Sequence, residues 1–382
     1  MLLQNLNLRG ADGLFNIGIN GSSISSVTTN TITENEGISL YFENGLAFPG
    51  LINSHDHLEF NLFGKMGTKS YSNYVEWGND IHQKYKAEID RVLKVPEVLR
   101  VQWGIYKNLL CGVTTVLHHG KHYNLDRPVI NVFHNCQNLH SVQLEKKWKL
   151  RLNNPLKISI PTVIHIGEGV DKIAAEEIND LLKWNLLGRD LVGIHGVKMN
   201  SRQAKSFKAL VWCPQSNYFL LNFTAEIEQL KKHTFILFGT DSTLSADWDI
   251  WEHIRDARAT GLLNDDELYS SLTTTPSRVW NLNSGSIEEK KQADVVVAKM
   301  SSNDTEDSFF KTKPEDILLI VQRGNIRLFD ESLISQLDES YQKNYSSILL
   351  NGIRKYVAGD LPGLVNEIKR YYPEAVFPFG TE

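Results

Sequence analysis

Between residues 48 and 284 short apolar runs alternate with segments in which apolar positions recur every three to four residues. The runs are "AFPGLINSH", "GVTTVLHH", "PVINVFHNC", "ISIPTVIHI", "DLVGIHG", "ALVWCP" and "FILFGTD". Unbroken apolar runs of this length suit buried strands, and the 3.6-residue period between them suits helices. Two helices are plain, "DKIAAEEINDLLKWNLL" and "DIWEHIRDARATG", each opened by an aspartate suited to the N-cap or first turn. Strands alternating with helices pair in parallel, and about eight such units in roughly 235 residues predict a (β/α)8 TIM-like barrel, of class α/β, rather than an open sheet. One strand is missing from the run count and is expected between 135 and 158, with "LHSVQL" as its candidate.

The flanks have another texture. Residues 1–47 are rich in Gly, Asn, Ser and Thr with short alternating runs, "FNIGINGSSISSVTTNTIT" and "ISLYFENGLAF", and similar β-branched runs return in "GSIEEKKQADVVVAKM" and "DILLIVQRGNIRLFD". The two chain ends are therefore expected to build one small β-sandwich domain, 1–47 with 285–332, around a barrel at 48–284. The tail, 333–382, shows helical spacing in "ESYQKNYSSILLNGIRKYV" and "LPGLVNEIKRYYP", and is expected as helices packed on the barrel or on a partner subunit.

Composition narrows the function classes. With 41% apolar and 22% charged residues and a formal charge of −5, the 382-residue chain gives no electrostatic reason to expect nucleic acid or an anionic membrane. Three scattered cysteines, Cys111, Cys136 and Cys213, provide neither a disulfide framework nor a zinc module. The first residues lack a basic region followed by an apolar segment, and no run approaches about 18 apolar residues. A cytoplasmic protein with a small-molecule substrate, with a homodimer as an open state, is the expectation.

Chemistry enters at the strand ends, where barrels of this kind carry their active sites. "GLINSHDHLE" ends an apolar strand on His55 and His57, which, two apart, project the same way. An H-x-H alone is a weak pattern, as compatible with hydrogen-bonded core histidines as with a metal. Three further strand ends change its meaning: "TVIHIGEG" carries His165 and, three residues on, Glu168; "VGIHGVK" carries His195; "LFGTDST" carries Asp241. Four such ends converging on one mouth argue for a shared ligand, and imidazoles and carboxylates without thiolates suit zinc or ferrous iron.

The pieces "PGLINSHDHL", "HIGEG", "IHGVK", "CPQSN", "FGTDSTLS" and "GSIEEKKQADVVV" together resemble successive motifs of the amidohydrolase superfamily, in its cytosine deaminase and chlorohydrolase-like branch. The resemblance runs over roughly residues 1–330. It implies one divalent metal, zinc first and iron or manganese next, held by His55, His57, His165 and Asp241. It implies Glu168 as the proton shuttle and His195 as the group that polarises substrate or water, with Asp241 also able to take the water's proton. The implied activity is that of a metal-dependent aminohydrolase, adding a metal-bound hydroxide to a nitrogen heterocycle and expelling ammonia. Amide, lactam or C–halogen hydrolysis is the alternative on the same site, and a non-catalytic scaffold or ligand-binding relative is the alternative of another class. A second metal bridged by a strand-four lysine is not expected, because Lys146, Lys147 and Lys149 read as a solvated helix and Lys157 lies too near His165.

Other residues stay open between two roles. His118 and His119 point to opposite faces, so at most one looks into the barrel and lines a substrate pocket. Glu59 either binds substrate or makes a loop salt bridge. Trp77, with Tyr71 and Tyr74, lies in a long loop after the first strand and either caps the site or packs on the rim. Cys213 reads as core, and of "TDSTLSADWD" Asp247 or Asp249 begins the next helix while Ser245 bonds ligand or backbone.

Overall fold

The structure is a computed structural model that describes residues 1–30 and 37–380; the end of the first alternating run, at 31–33, lies outside the described residues. Eight strands follow one another through the middle of the chain: Leu51–Asp56 (β1), Val113–His118 (β2), Asn131–Phe133 (β3), Gln137–Ser141 (β4), Thr162–Ile166 (β5), Leu191–His195 (β6), Ala209–Trp212 (β7) and Phe235–Phe238 (β8). They pair in parallel, β1–β3 in one sheet and β4–β8 in chain order in another. Backbone N–H groups of Thr240 and Asp241, just past β8, donate to the His55 carbonyl at 3.1 Å and stitch the two sheets together at β1. The missing strand is β4, overlapping the expected "LHSVQL" in its first three residues.

Helices fill the connections. Asp171 and Asp249 cap the two plain ones, Lys172–Trp184 and Ile250–Thr260, accepting from Ala174 N and Trp251 N respectively. The helix Glu97–Leu110 approaches the turn after His57 so closely that a Cβ on Gly104 would stand 2.3 Å from the Leu58 carbonyl oxygen. Only glycine allows that contact, which holds the end of β1 in place.

Strands from both chain ends form one nine-stranded sheet rather than two hydrogen-bonded sheets among the described residues. Ser39–Pro49 lies between Leu2–Leu8, its parallel neighbour, and Val295–Lys299, its antiparallel one, so the two ends of the chain meet there. Phe48 turns from this sheet onto Trp251 and Phe309, with edge-on ring centroids 5.2–5.8 Å apart, and fastens it to the helices of the middle segment.

The tail corrects an expectation. "ESYQKNYSSILLNGIRKYV" is helical only over Glu339–Asn344; Tyr345–Leu350 and Ile353–Ala358 are strands that extend the nine-stranded sheet. Their turn is Asn351-Gly352, with φ of 47° and 80°, the two left-handed residues of a type I′ hairpin. The helical spacing was real in number but overruled by that dipeptide, and by Ile348 and Leu350 alternating into the core. "LPGLVNEIKRYYP" is a helix, Leu361–Tyr371, capped by Asp360 and packed against Glu97–Leu110. No helix among the described residues is long and apolar enough to cross a membrane.

Candidate metal and catalytic site

The end of β1 divides its side chains between two environments. Asp56 is fully buried against the helix Glu97–Leu110, accepting from Lys107 Nζ at 3.0 Å and from Asn61 and Asn108 amides at 2.7 Å. His55 and His57 turn the other way, their Nε2 atoms 3.5 and 3.8 Å from Asp241 Oδ1. His165, at the end of β5, brings its Nε2 to 3.2 Å from His57 Nε2 and 3.4 Å from His55 Nε2. His55, His165 and His195 form one group whose ligand atoms all lie within 4.8 Å, and His55, His57 and Asp241 form a second.

The backbone is turned to make this possible. His195 and Asp241 have φ of 69° and 59°, a left-handed conformation that costs a non-glycine residue of order 1–3 kcal/mol. His195 closes β6 and Asp241 stands three residues past the end of β8; both are buried, and the strain is held by the packing around them.

Do these residues fit a cation? His165 Nδ1 lies 2.8 Å from the His140 carbonyl, which can only accept, so Nδ1 carries the proton and Nε2 presents a bare lone pair. His195 Nδ1 is fixed in the same way by Asn217 Oδ1 at 2.8 Å, Asn217 itself donating to Thr224. Burial, and after it the neighbouring imidazoles, hold His57 and His165 well below the usual histidine pKa, so both rings are neutral. Burial pushes the Asp241 carboxyl up, but the bond with His55 and the facing imidazoles outweigh it and the group stays ionised. Ser216 and Ser245 hydroxyls occupy Asp241 Oδ2 at 2.7 and 2.8 Å, leaving Oδ1 toward the histidines. His165 Nε2, its lone pair set by the Nδ1–H bond, faces the Nε2 atoms of His57 and His55 at 3.2 and 3.4 Å; imidazoles and one carboxylate, oriented by outer hydrogen bonds, are a donor set that a divalent cation takes.

Glu168 stands across from this cluster, its Oε1 3.5 Å from His195 Nε2. Burial first, then the Asp241 and Glu177 charges, raises its pKa well above the usual carboxylate range. A cavity of about 110 Å³ opens beside it, with Phe60, Tyr74, Trp77 and Leu244 as an apolar wall facing Glu168, His195 and Asp241. The arrangement joins a set of candidate metal ligands, a buried carboxyl with a raised pKa and a bare imidazole nitrogen around a cavity with an apolar wall.

The other expected residues divide. Trp77 lines the cavity, from a helix, Tyr74–Lys84, rather than a loop; its indole donates to the Met66 carbonyl at 2.7 Å. Tyr74 joins it, whereas Tyr71 is turned away to donate to Asp80. His119, not His118, faces the histidines: its ring lies 4.3 Å from that of His165, and neither nitrogen has a hydrogen-bond partner. His118 is held by the Lys121 carbonyl and Glu59, 3.1 and 3.6 Å away, so neither His118 nor Glu59 reaches the cavity. Glu59 thus takes the loop-contact role, although its carboxyl is pushed up to about 7 by burial. Cys213 is core, Asp249 caps the next helix and Ser245 serves Asp241.

Sequence reasoning passed over Glu177. From the helix after β5 it accepts the Gly167 N–H at 2.6 Å and lies 3.5 Å from the Tyr74 hydroxyl, tying down the turn that carries Glu168. Its place ten residues past Gly167, one helical face in, was the only signal. Phe60 and Leu244 were also unread, since apolar residues in loops carry no chemical mark.

Comparison with known proteins agrees with this geometry. Residues 161–327 match the amidohydrolase family. A 5′-deoxyadenosine deaminase of Methanococcus aeolicus is 21% identical over 317 residues, 67% of this chain and 74% of that protein. A zinc-bound adenosine deaminase from Xanthomonas campestris superposes with a TM-score of 0.70 at 14% identity, over 98% of both chains. Atrazine chlorohydrolase from Arthrobacter aurescens TC1, complexed with zinc and atraton, superposes with a TM-score of 0.72 at 14% identity, over 97% of this chain and 99% of that one. Over residues 161–327 the chain is similar to the amidohydrolase family, and its fold is that of the deaminase and chlorohydrolase structures.

Proposed function

We propose that the protein is a metal-dependent aminohydrolase that deaminates a nitrogen heterocycle. The observation that supports the reading is two groups of close ligand atoms that share His55, one with His165 and His195 and one with His57 and Asp241, with Glu168 Oε1 3.5 Å from His195 Nε2. One zinc ion is the expected occupant, held by those four side chains in a closed (β/α)8 barrel, with the chain-end β domain and the C-terminal helix as supports. A bound divalent ion supplies a nucleophile at neutral pH by lowering the pKa of its water to about 7.

The chain's own residues then move protons and place the ring. Glu168, whose pKa burial raises, is the group that gives a proton to the leaving nitrogen and recovers one from the attacking water. His195 Nε2 is bare because Nδ1–H is committed to Asn217; it accepts a hydrogen bond from the attacking water and so polarises it. Phe60, Tyr74 and Trp77 exclude water and favour a planar substrate. Similarity to deaminases of adenosine-type substrates and to a triazine chlorohydrolase supports a heterocycle over a peptide.

The test is ammonia release across purines, pyrimidines and triazines, run beside amide, lactam and chloro-heterocycle panels. Ammonia from at least one aminated heterocycle is expected; turnover confined to amides or C–Cl bonds would overturn deamination. His165→Ala is expected to lower metal content of the purified protein from about one ion to a small fraction, by mass spectrometry of the metal, since losing one of four ligands typically costs several kcal/mol of binding. Stoichiometric metal in that variant would remove His165 from the ligand set.

A further inference from the structure

Away from the catalytic cavity, the connection between β2 and β3 and the hairpin Ile317–Gln322/Asn325–Asp330 enclose a groove of about 540 Å³. Arg127, Arg323, Arg327, His122 and His134 line it, and no carboxylate side chain does. It shares no residue with the catalytic cavity. A basic groove is unexpected in a chain of net charge −5, so overall composition does not explain it.

The arginines are uncommitted. Among the described residues none of the three makes an ion pair, whereas Arg9, Arg151, Arg255 and Arg258 all do. Arg327 donates once, from Nη2 to Gln322 at 3.1 Å, and its Nε is buried without a partner. The nearby Asp294 is engaged by the Arg323 backbone N–H at 2.8 Å and by the Gln292 amide at 3.2 Å. Asp126, next to Arg127, lines a neighbouring cavity instead. Buried donors normally find acceptors, so an unpaired guanidinium N–H beside a solvent-open basic groove points to an acceptor brought from outside. Arg127 and Arg323 present their side chains from left-handed backbone, φ 43° and 49°, where asparagine or glycine would be easier.

We propose that this groove is an anion site for a phosphate group, either the free ion or a phosphate monoester. Planar guanidinium forks match the oxygens of phosphate two at a time, and three forks with two imidazoles offer more donors than a carboxylate can accept. Lys121, Arg151 and Lys157 line an adjoining cavity that shares His122 and His134, extending the positive potential along one face.

Isothermal titration calorimetry of the full-length protein with orthophosphate, methyl phosphate and acetate, at ionic strength held constant with chloride, tests it. Saturable binding of orthophosphate or methyl phosphate is expected, the tighter of the two naming the source. Arg327→Ala and the exposed Arg127→Gln should each weaken it about tenfold, the loss of one charge-assisted contact. Arg151→Gln, whose guanidinium is already paired with Glu145, should leave it within about twofold. Should Arg327→Ala fail to fold, Arg127→Gln decides alone. Absence of saturable phosphate binding, binding unchanged in Arg127→Gln, or acetate binding as tightly as phosphate would each overturn the proposal.

Discussion

Glu168→Gln is expected to lower turnover by about 10²–10⁴-fold while leaving the metal content of the protein unchanged, the range typical of losing a positioned general acid or base. Glutamine keeps the volume and can still hydrogen-bond toward His195 Nε2, 3.5 Å from the present carboxyl oxygen, but it cannot release and recover a proton. Metal binding should persist because Glu168 lies outside both close groups of ligand atoms. Burial, with the Asp241 and Glu177 charges, raises the Glu168 pKa well above the usual carboxylate range, which suits a group that holds the proton in transit. Turnover within a few-fold of the parent, measured on any accepted substrate, would end the proton-transfer role. Loss of metal in the same variant would instead make Glu168 a ligand.

Lys107→Ala should cost about 3–5 kcal/mol of folding stability, the range for breaking a buried ion pair by removing one partner. Lys107 is 1% and Asp56 0% exposed. The ammonium donates to Asp56 Oδ2 and Asn61 Oδ1, each at 3.0 Å. Without it the Asp56 carboxylate stays in the core with only amides and the Thr240 hydroxyl to satisfy it. Urea denaturation read by circular dichroism measures the loss, and a shift below about 1 kcal/mol, typical of an exposed pair, would contradict the buried-pair account. Because Asp56 sits between His55 and His57, weaker metal retention should accompany the lost stability.

The residues proposed for metal binding and proton transfer were legible because each closes or shortly follows an apolar run, a pattern that depends only on neighbours in the chain. His55, His57, His165, Glu168, His195 and Asp241 were all named from such endings and all meet in the structure. The second-strand pair was legible only to its alternation: period two says that His118 and His119 diverge, and packing chose His119. The tail was misread over 345–358, where count-based helical spacing competed with an Asn-Gly turn and the turn won. Glu59 looked available for substrate by sharing a face with His57, yet the short helical turn at Leu58–Phe60 carries it to His118 instead.

By itself the sequence determined the alternation of strands and helices through 48–284, the strand-end side chains proposed to hold a metal, and the face on which His55 and His57 are presented. Those follow from backbone periodicity and from the solvation cost of polar groups, both local properties. Tertiary structure alone decided what surrounds them: that Lys107 neutralises Asp56, that Glu177 ties down the Glu168 turn, and that Phe60, Tyr74 and Trp77 wall the cavity. It also decided that three arginines from two distant segments share a groove without an acid. The physical reason is sequence separation: burial, partner choice and pKa depend on groups that the chain brings together only after closing loops of tens to hundreds of residues.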